Sequence, residues 1–405
     1  MTFNIYVYIG IARSIQKGDG GDKAADKMTW IAIRMLTGDR QKFFGLLFGV
    51  AFSALLISQQ LTIFINLIER GATAVYNVPT GNVWVMDPVS RTVDVTYAMP
   101  STALDRVRSV EGVDWAVPML RSIANVRTPE GDLEGVAVVG VDDATLIGLP
   151  RKIVEGQRQA LYEPDSVFID AVGAVKLFGE GVDPIGLRLE LNDRRAIIRG
   201  IVDIDPSFTS QVTLYTRYSN ALSFVPGTRN RLTFVLAQTA TGTTPEQLTA
   251  KITEATGLRA RTRDEFARDG VDFIIENTGI PINFGITVAL GVIVGIAIVG
   301  LTFSLFIRDN IKQFGALKAI GVTNHKIRLM VASQALLVGL IGYGFGILGA
   351  AAFIYGNSSL PDFKGFYMPW QIPLATAVVV LVMILITGWL ALRSVLKMEP
   401  AEVFR

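Results

Sequence analysis

Charged side chains are absent from four long stretches of the chain. Residues 43–68 form an uncharged run of 26, 277–307 of 31, 329–361 of 33 and 365–392 of 28. A helix needs about 20 apolar residues to cross the hydrocarbon of a bilayer, and each run holds that many. The pattern predicts transmembrane helices at 43–68, 284–307, 329–354 and 371–392. Pro281 falls just outside the second, and Pro369 and Pro373 mark the start of the fourth.

Between the first and second spans the pattern changes. Residues 69–283 carry 28 acids and 22 bases, and apolar residues come in short runs bounded by Gly, Asp and Pro. Residues 83–86, 136–141, 188–191, 196–202 and 232–237 read as strands. Residues 102–110 and 245–256 read as helices, the first capped by Ser101 or Thr102. The second is capped by Thr244, with Pro245 at its first position. The fold class is therefore an α-helical membrane protein with four transmembrane helices and a large mixed α/β extracytoplasmic domain between the first two. That domain is expected over 69–262. A polar, helical stalk at 263–283 leads into the second span, where Pro281 would kink or interrupt the helix.

Orientation follows from Lys and Arg in the short flanks. Residues 1–42 carry seven, the 308–328 loop five, the tail 393–405 three and the short outer loop 355–370 one. The positive-inside rule places the N-terminus, the 308–328 loop and the tail in the cytoplasm. Residues 1–27 read as a flexible cytoplasmic leader without a convincing signal-peptide cleavage site. Residues 28–42 read as an amphipathic helix on the cytoplasmic face before the first span.

Composition narrows the chemistry. Lys and Arg total 38 against 36 Asp and Glu, which gives no basic excess for nucleic acid. Charged residues are only 18% of the chain and the mean hydropathy is +0.41, where a soluble domain carries about 25% charge. The absence of cysteine excludes disulfides, thiolate nucleophiles and Cys-based metal sites. Any histidine-dependent site would have to use His325 alone. No G-x-x-x-x-G-K-[ST], G-x-S-x-G or H-E-x-x-H segment occurs. Asp142–Asp143 and Asp203 with Asp205 are acid pairs of a kind that more often sit in turns than form a carboxylate dyad or calcium site. Asp264 and Glu265 suit the start of a helix. Tyr76, Tyr97 and Met99 near the domain base are groups that could contact haem or another amphiphile and that more often serve as packing.

The 308–328 loop carries its own amphipathic helix. Ile311, Phe314, Leu317 and Ile320 share one face. Gly321 can end that helix, and Thr323 or Asn324 can begin the next. The run Phe314-Gly315-Ala-Leu317-Lys318-Ala-Ile320-Gly321-Val-Thr323 resembles the GxLKAxG signature of FtsX-like permeases, the MacB-type (type VII) ABC superfamily. The ending Pro400-Ala401-Glu402 with Arg405 is similar to that family's PAExxR tail. The 31–36 stretch, with Asp39 and Arg40, resembles its lead-in helix. The plan of one span, a large outer domain and three spans covers 30–405, and it looks closest to the stand-alone DevC- and HrtB-type permeases.

The resemblance implies a permease that pairs with a second copy of itself and with two copies of a separate ABC ATPase. The chain itself would bind no cofactor, and ATP and magnesium would be used by the partner. Ile311, Phe314, Gly315, Leu317, Lys318, Ile320 and Gly321 would form the ATPase-coupling element. ATP-driven movement would pass along the long helices to the outer domain by mechanotransmission, to expel an amphiphile from the inner membrane or periplasm. A periplasmic adaptor and an outer-membrane channel are further partners in such systems, and membrane lipids surround the spans. The rival reading is an FtsX-type transducer that activates an outer partner such as a cell-wall hydrolase. The roughly 200-residue domain favours the exporter.

Two sets of residues inside the spans stand out independently. Gln59, Thr62 and Asn66 share a face of the first span, either as a substrate cleft or as a hydrogen-bonded seam between helices. Gly291-x-x-x-Gly295 and Gly342-x-x-x-Gly346 permit close helix approach, within the subunit or between copies.

Overall fold

The computed structural model describes residues 30, 32–128, 131–208, 210, 212–225, 231–319 and 321–396. The leader 1–27, Ile31, Ile320 and the 397–405 tail lie outside the described residues. The chain divides into two compact units. One holds the four long apolar helices. The other holds 64–281 together with 357–366.

In the membrane unit the helices are α1 (Arg40–Tyr76), which enters the second unit at its far end, and later in the chain Ile280–Asp309, Asn324–Gly356 and Gln371–Leu396. All four are long and apolar enough to span a bilayer. Each runs past its uncharged core, because a helix continues through polar flanks once its backbone hydrogen bonds are in place. Pro281 sits in the first turn of its helix, where a missing N–H costs nothing, rather than outside it. The lead-in segment is helical over 32–38. It buries Ala32, Met35 and Leu36 against Leu46, Phe303 and Met330, so its apolar face meets protein. The Gln334 amide donates to the Ala32 carbonyl at 2.7 Å.

The second unit is built on one ten-stranded sheet of order β12-β1-β11-β3-β4-β9-β6-β8-β5, with β7 pairing both β3 and β8. Its strands are β1 (Val83–Met86), β3 (Val113–Arg127), β4 (Leu133–Val141), β5 (Ile153–Glu155), β6 (Ser166–Asp170), β7 (Arg188–Leu191), β8 (Arg194–Val202), β9 (Thr213–Arg217), β11 (Phe234–Thr239) and β12 (Arg259–Thr262). The short β2 (Met99–Pro100) and β10 (Arg231–Leu232) form a separate pair. The helices of this unit are α2 (Thr102–Arg108), α3 (Ala171–Phe178), α4 (Tyr218–Phe224), α5 (Pro245–Thr256) and α6 (Arg263–Asn277). The remaining helices, in chain order, are α7 (Ile280–Asp309), α8 (Ile311–Ala319), α9 (Asn324–Gly356) and α10 (Gln371–Leu396).

Because β7 bonds to both β3 and β8, the strands β3, β4, β9, β6, β8 and β7 close into a ring without free edges. Its interior is filled by Leu120, Val136, Val138, Val167, Ile169, Leu189, Ile198 and Leu214. The flatter part, β12-β1-β11-β3, is covered on both faces. Val83 and Val85 meet Val107, Leu248 and Ile252 of α2 and α5, while Trp84 and Met86 meet Phe234, Phe266 and Val75. A strand covered on both sides reads as an unbroken apolar run, and β1 is Val-Trp-Val-Met.

Local signals were accurate where the chemistry is local. Thr244 accepts from the Gln247 N–H in a reciprocal capping box with Pro245 at the first helical position. Thr262 and Glu265 form a second one at the start of α6. Ser101 makes no side-chain cap, because its backbone is already helical. Between α6 and α7 the helix is interrupted at Thr278 and Gly279.

Asp170 caps α3 and is 1% exposed. Its carboxylate accepts from the Gly173 N–H at 2.7 Å and the Thr213 N–H at 2.6 Å. Burial pushes the carboxyl up to about 6, against the downward pull of those two donors. A carboxyl whose folded value lies above its unfolded value contributes most below about pH 4 and loses that contribution as pH rises through 6. The ceiling of this effect is about 3 kcal/mol. The second unit in the full chain is therefore expected to melt several degrees lower at pH 7.5 than at pH 4.5 from this group. An Asp170→Ala variant is expected to melt lower at both values and to lack that part of the slope. Thermal unfolding across the pH series checks it.

Candidate functional site

The turn from α7 to α9 is closed by hydrogen bonds at both ends. Asn310 ends α7 by donating its side-chain amide to the Phe306 carbonyl at 2.8 Å. Its own carbonyl then accepts from the Gln313 and Phe314 N–H groups, which starts α8 without slack. At the other end Gly321 has φ +92°, and the Val322 N–H returns to the Leu317 carbonyl at 3.0 Å, a Schellman-type closure that favours glycine. The Ile327 N–H bonds the Thr323 carbonyl as α9 begins.

Of the expected coupling residues, Phe314 is 0% and Leu317 4% exposed, and Gly315 is buried beside them. They pack with Leu36, Phe306, Ile307, Val322, Ile327 and Met330. Ile311 and Lys318 are half-buried, Gly321 is exposed, and Ile320 lies outside the described residues. The apolar stripe therefore roots the helix in its own bundle, while Lys312 lies on its exposed side. A sequence pattern finds such a stripe without saying whether protein or partner covers it. His325 is exposed in the following turn. Lys42 of α1 forms ion pairs with Asp39 at 2.7 Å and with Asp309, which ties the start of α1 to the end of α7.

Gln59, Thr62 and Asn66 lie about 25–36 Å further along α1 by helical rise. Thr62 is 0% and Asn66 4% exposed, and Gln59 is half-buried. Thr62 donates to the Ser58 carbonyl, and the Ser58 hydroxyl donates to the Ala54 carbonyl at 2.7 Å and lies 3.1 Å from Thr376 Oγ1. This face of α1 is turned to protein and is linked through Ser58 to α10.

Three of the four glycines expected to allow close approach, Gly295, Gly342 and Gly346, do so within one chain. A Cβ on Gly346 would lie 2.5 Å from Ala54 Cβ and 2.7 Å from the Ala51 carbonyl oxygen, and one on Gly342 would lie 2.7 Å from Val50 Cβ. A Cβ on Gly295 would lie 2.6 Å from Met383 Sδ and still closer to the Ser53 hydroxyl, while Gly291 faces Ile57 and Leu56 at ordinary contact distance.

Two features of the second unit left no trace in the sequence pattern. First, residues 357–366 are not a free loop but part of that unit. Arg70 donates to the Asp362 carbonyl at 2.7 Å and stacks on Phe366 at 4.6 Å. Lys364 pairs with Asp203 at 2.6 Å, and Lys152 pairs with the same carboxylate. These two ammonium groups, Lys152 foremost, hold Asp203 below the usual carboxylate range. Second, α1 and α6 cross at Gly71 and Gly270 with their backbones in contact.

The acid pairs take structural places. Asp142 accepts from the Thr145 N–H and hydroxyl, Asp143 from the Ser219 N–H and hydroxyl, and the Asp205 carbonyl from Asn77. No group of three or more His, Asp or Glu among the described residues is arranged to hold a metal ion. Met99 is buried, while Tyr76 and Tyr97 are about half exposed and Arg263 lies over the Tyr76 ring at 5.8 Å.

Comparison with known proteins agrees with this architecture. The family model for the MacB-like periplasmic core domain matches residues 44–255, and that for the FtsX-like permease C-terminal matches 285–400. The macrolide export ATP-binding/permease protein MacB of Agrobacterium fabrum is 25% identical over 283 residues, 66% of this chain and 42% of that protein. The chain thus spans about two fifths of that relative's length. Among solved structures, the periplasmic region of MacB from Actinobacillus actinomycetemcomitans aligns at 15% identity over 50% of this chain and 96% of that one, with a TM-score of 0.35. The extracellular domain of the noncanonical ABC-type transporter YknZ from Gram-positive bacteria aligns at 12% identity over 45% of this chain and 100% of that one, with a TM-score of 0.34. With one family model spanning the first helix and most of the inserted α/β domain, and the other the last three helices, the chain belongs to the FtsX-like permeases that carry a MacB-like periplasmic core domain.

Proposed function

We propose that this chain is the permease subunit of an ATP-driven exporter. It works as a pair with a second copy and with two copies of a separate ABC ATPase, in the inner membrane of a bacterium. The termini and α8 face the cytoplasm and the inserted domain faces the periplasm. ATPase closure moves α8, and the movement passes along α1 and α7 to expel an amphiphile from the membrane or periplasm, with an adaptor and an outer-membrane channel completing the path.

The observation that supports this reading most is the rooting of α8. Phe314 and Leu317 fix it to the ends of the long helices, and its turns are closed by hydrogen bonds on both sides. A helix held this way cannot be displaced without moving α7 and α9, so a push on its exposed side is transmitted rather than absorbed. The family supplies the permease role.

The test is affinity purification of the tagged full-length chain from native membranes. Lys312→Glu changes only the exposed side of α8. It is expected to lower the co-purified ATPase about fivefold or more while leaving folding intact, in line with about 1 kcal/mol or more for a reversed interfacial charge. No ATPase from wild-type membranes in several mild detergents would overturn the proposal. The chain has no cysteine, so a single Asn324→Cys substitution reports sidedness directly. Labelling by an impermeant maleimide only after the cells are opened is expected.

A further inference from the structure

The surfaces of α9 and α10 leave an apolar groove of about 220 Å³ at the end of the membrane unit where α8 lies. Ala335, Leu336, Leu385, Gly388 and Trp389 line it, with Arg328 at its mouth. The floor is made of small residues: a Cβ on Gly388 would only just reach the Ala335 methyl, at 4.0 Å. Leu336, Leu385 and Trp389 are 48%, 61% and 55% exposed, so the groove opens away from the bundle. Cations gather at one end of it. Arg328 is exposed, and the Arg393 guanidinium lies 3.6 Å from the centre of the Trp389 ring. Among the described residues no carboxylate pairs with either arginine.

We propose that this groove is a binding site for one anionic phospholipid. The acyl chain lies over Ala335 and Gly388, the phosphate sits between Arg328 and Arg393, and the Trp389 ring marks the interfacial depth. Charge complementarity selects this occupant. A hydrocarbon groove that ends in two guanidinium groups with no carboxylate partner among the described residues, beside an interfacial tryptophan, matches a molecule with a long apolar tail and a negative head. Arginine suits the head, because its planar fork donates to two phosphate oxygens at once. A neutral amphiphile would bring neither cation a counter-charge. The leaflet of origin rests on the orientation proposed above and would be the cytoplasmic one. The site itself rests only on the groove and its rim.

The experiment reconstitutes the full-length protein with equal phosphatidylglycerol and phosphatidylethanolamine and reads retained lipid by native mass spectrometry as detergent is raised. Wild type is expected to keep one phosphatidylglycerol in preference to phosphatidylethanolamine. Loss of about fivefold in retention per arginine is expected from about 1 kcal/mol per cation, so roughly 25-fold for Arg328→Ala with Arg393→Ala. Replacement of both by lysine is expected to restore part of the retention, since it returns the charge without the two-oxygen fork. Gly388→Leu fills the groove and is expected to abolish retention with both arginines intact. Arg308→Ala, exposed outside the groove, is expected to change nothing. Equal retention of the two lipids by wild type, or unchanged retention in both the arginine and Gly388 variants, overturns the site. So does a cross-link between copies through a single Trp389→Cys, since a second copy would then cover the groove. The readout needs no ATPase, so failure of the partner experiment leaves it standing. Labelling of Asn324→Cys from outside would move the lipid to the other leaflet without removing it.

Discussion

Gly270→Val is expected to destabilise the inserted domain by about 3 kcal/mol or more. A Cβ at Gly270 would lie only 2.3 Å from the Gly71 carbonyl oxygen, and one at Gly71 would lie 2.8 Å from the Gly270 carbonyl oxygen and 2.7 Å from Ile274 Cδ1. Overpacking is tolerable when the neighbour is the end of a flexible side chain. Here it is backbone on both helices, so no rotamer change relieves it. The crossing must open, and Val75, Phe266 and Ala267, which pack beside it, lose contacts together. Gly270→Ala should cost less but still measurably. Gly279→Ala is the control, because nothing lies within 4 Å of its added carbon, and it should change stability by under about 0.5 kcal/mol. Thermal unfolding and limited proteolysis of the full chain compare the three. If Gly270→Val melts with the wild type, α1 and α6 do not cross where the structure puts them.

Leu317→Asp is the second large effect. Truncation of a buried leucine to alanine costs about 2–5 kcal/mol. Aspartate adds a carboxylate with no hydrogen-bonding partner among Phe306, Phe314, Val322 and Ile327. The expected outcome is release of α8 from its bundle, seen as a lowered melting temperature and protease cleavage between α7 and α9. Loss of ATPase from such a variant would follow from either a broken contact or a lost helix. Lys312→Glu separates the two, because it leaves the buried face untouched. A protein in which Leu317→Asp keeps its stability and its protection would show that this face is not packed as described.

These residues show where one-dimensional pattern is informative. The GxLKAxG run and the 3.6-residue spacing located α8 and its terminating glycine, since both are properties of consecutive residues. They did not tell which side would be buried, and the structure turns Phe314 and Leu317 inward. The Gly342 and Gly346 pair was legible as a site of close approach. Its partner, the Leu47–Ala54 stretch of α1, was not. Thr62 and Asn66 were legible as polar groups needing partners, while their burial was decided by neighbours distant in sequence.

The sequence alone determined the four spans, the position of the mixed α/β domain, the cap at Thr244, the helix start at Asp264 and Glu265, and the family. Each follows from local rules: a missing charge over 20 or more residues, short apolar runs between turn residues, a hydroxyl three residues from a free N–H. Tertiary structure alone decided the ring closed by β7, the Gly71–Gly270 crossing, the seat of 357–366 on Asp203 and Arg70, and the groove between Arg328 and Arg393. Each of these joins residues between about 60 and 300 positions apart. Such meetings are set by the packing of whole elements, and nothing in the residues beside them in the chain records which partners packing will bring.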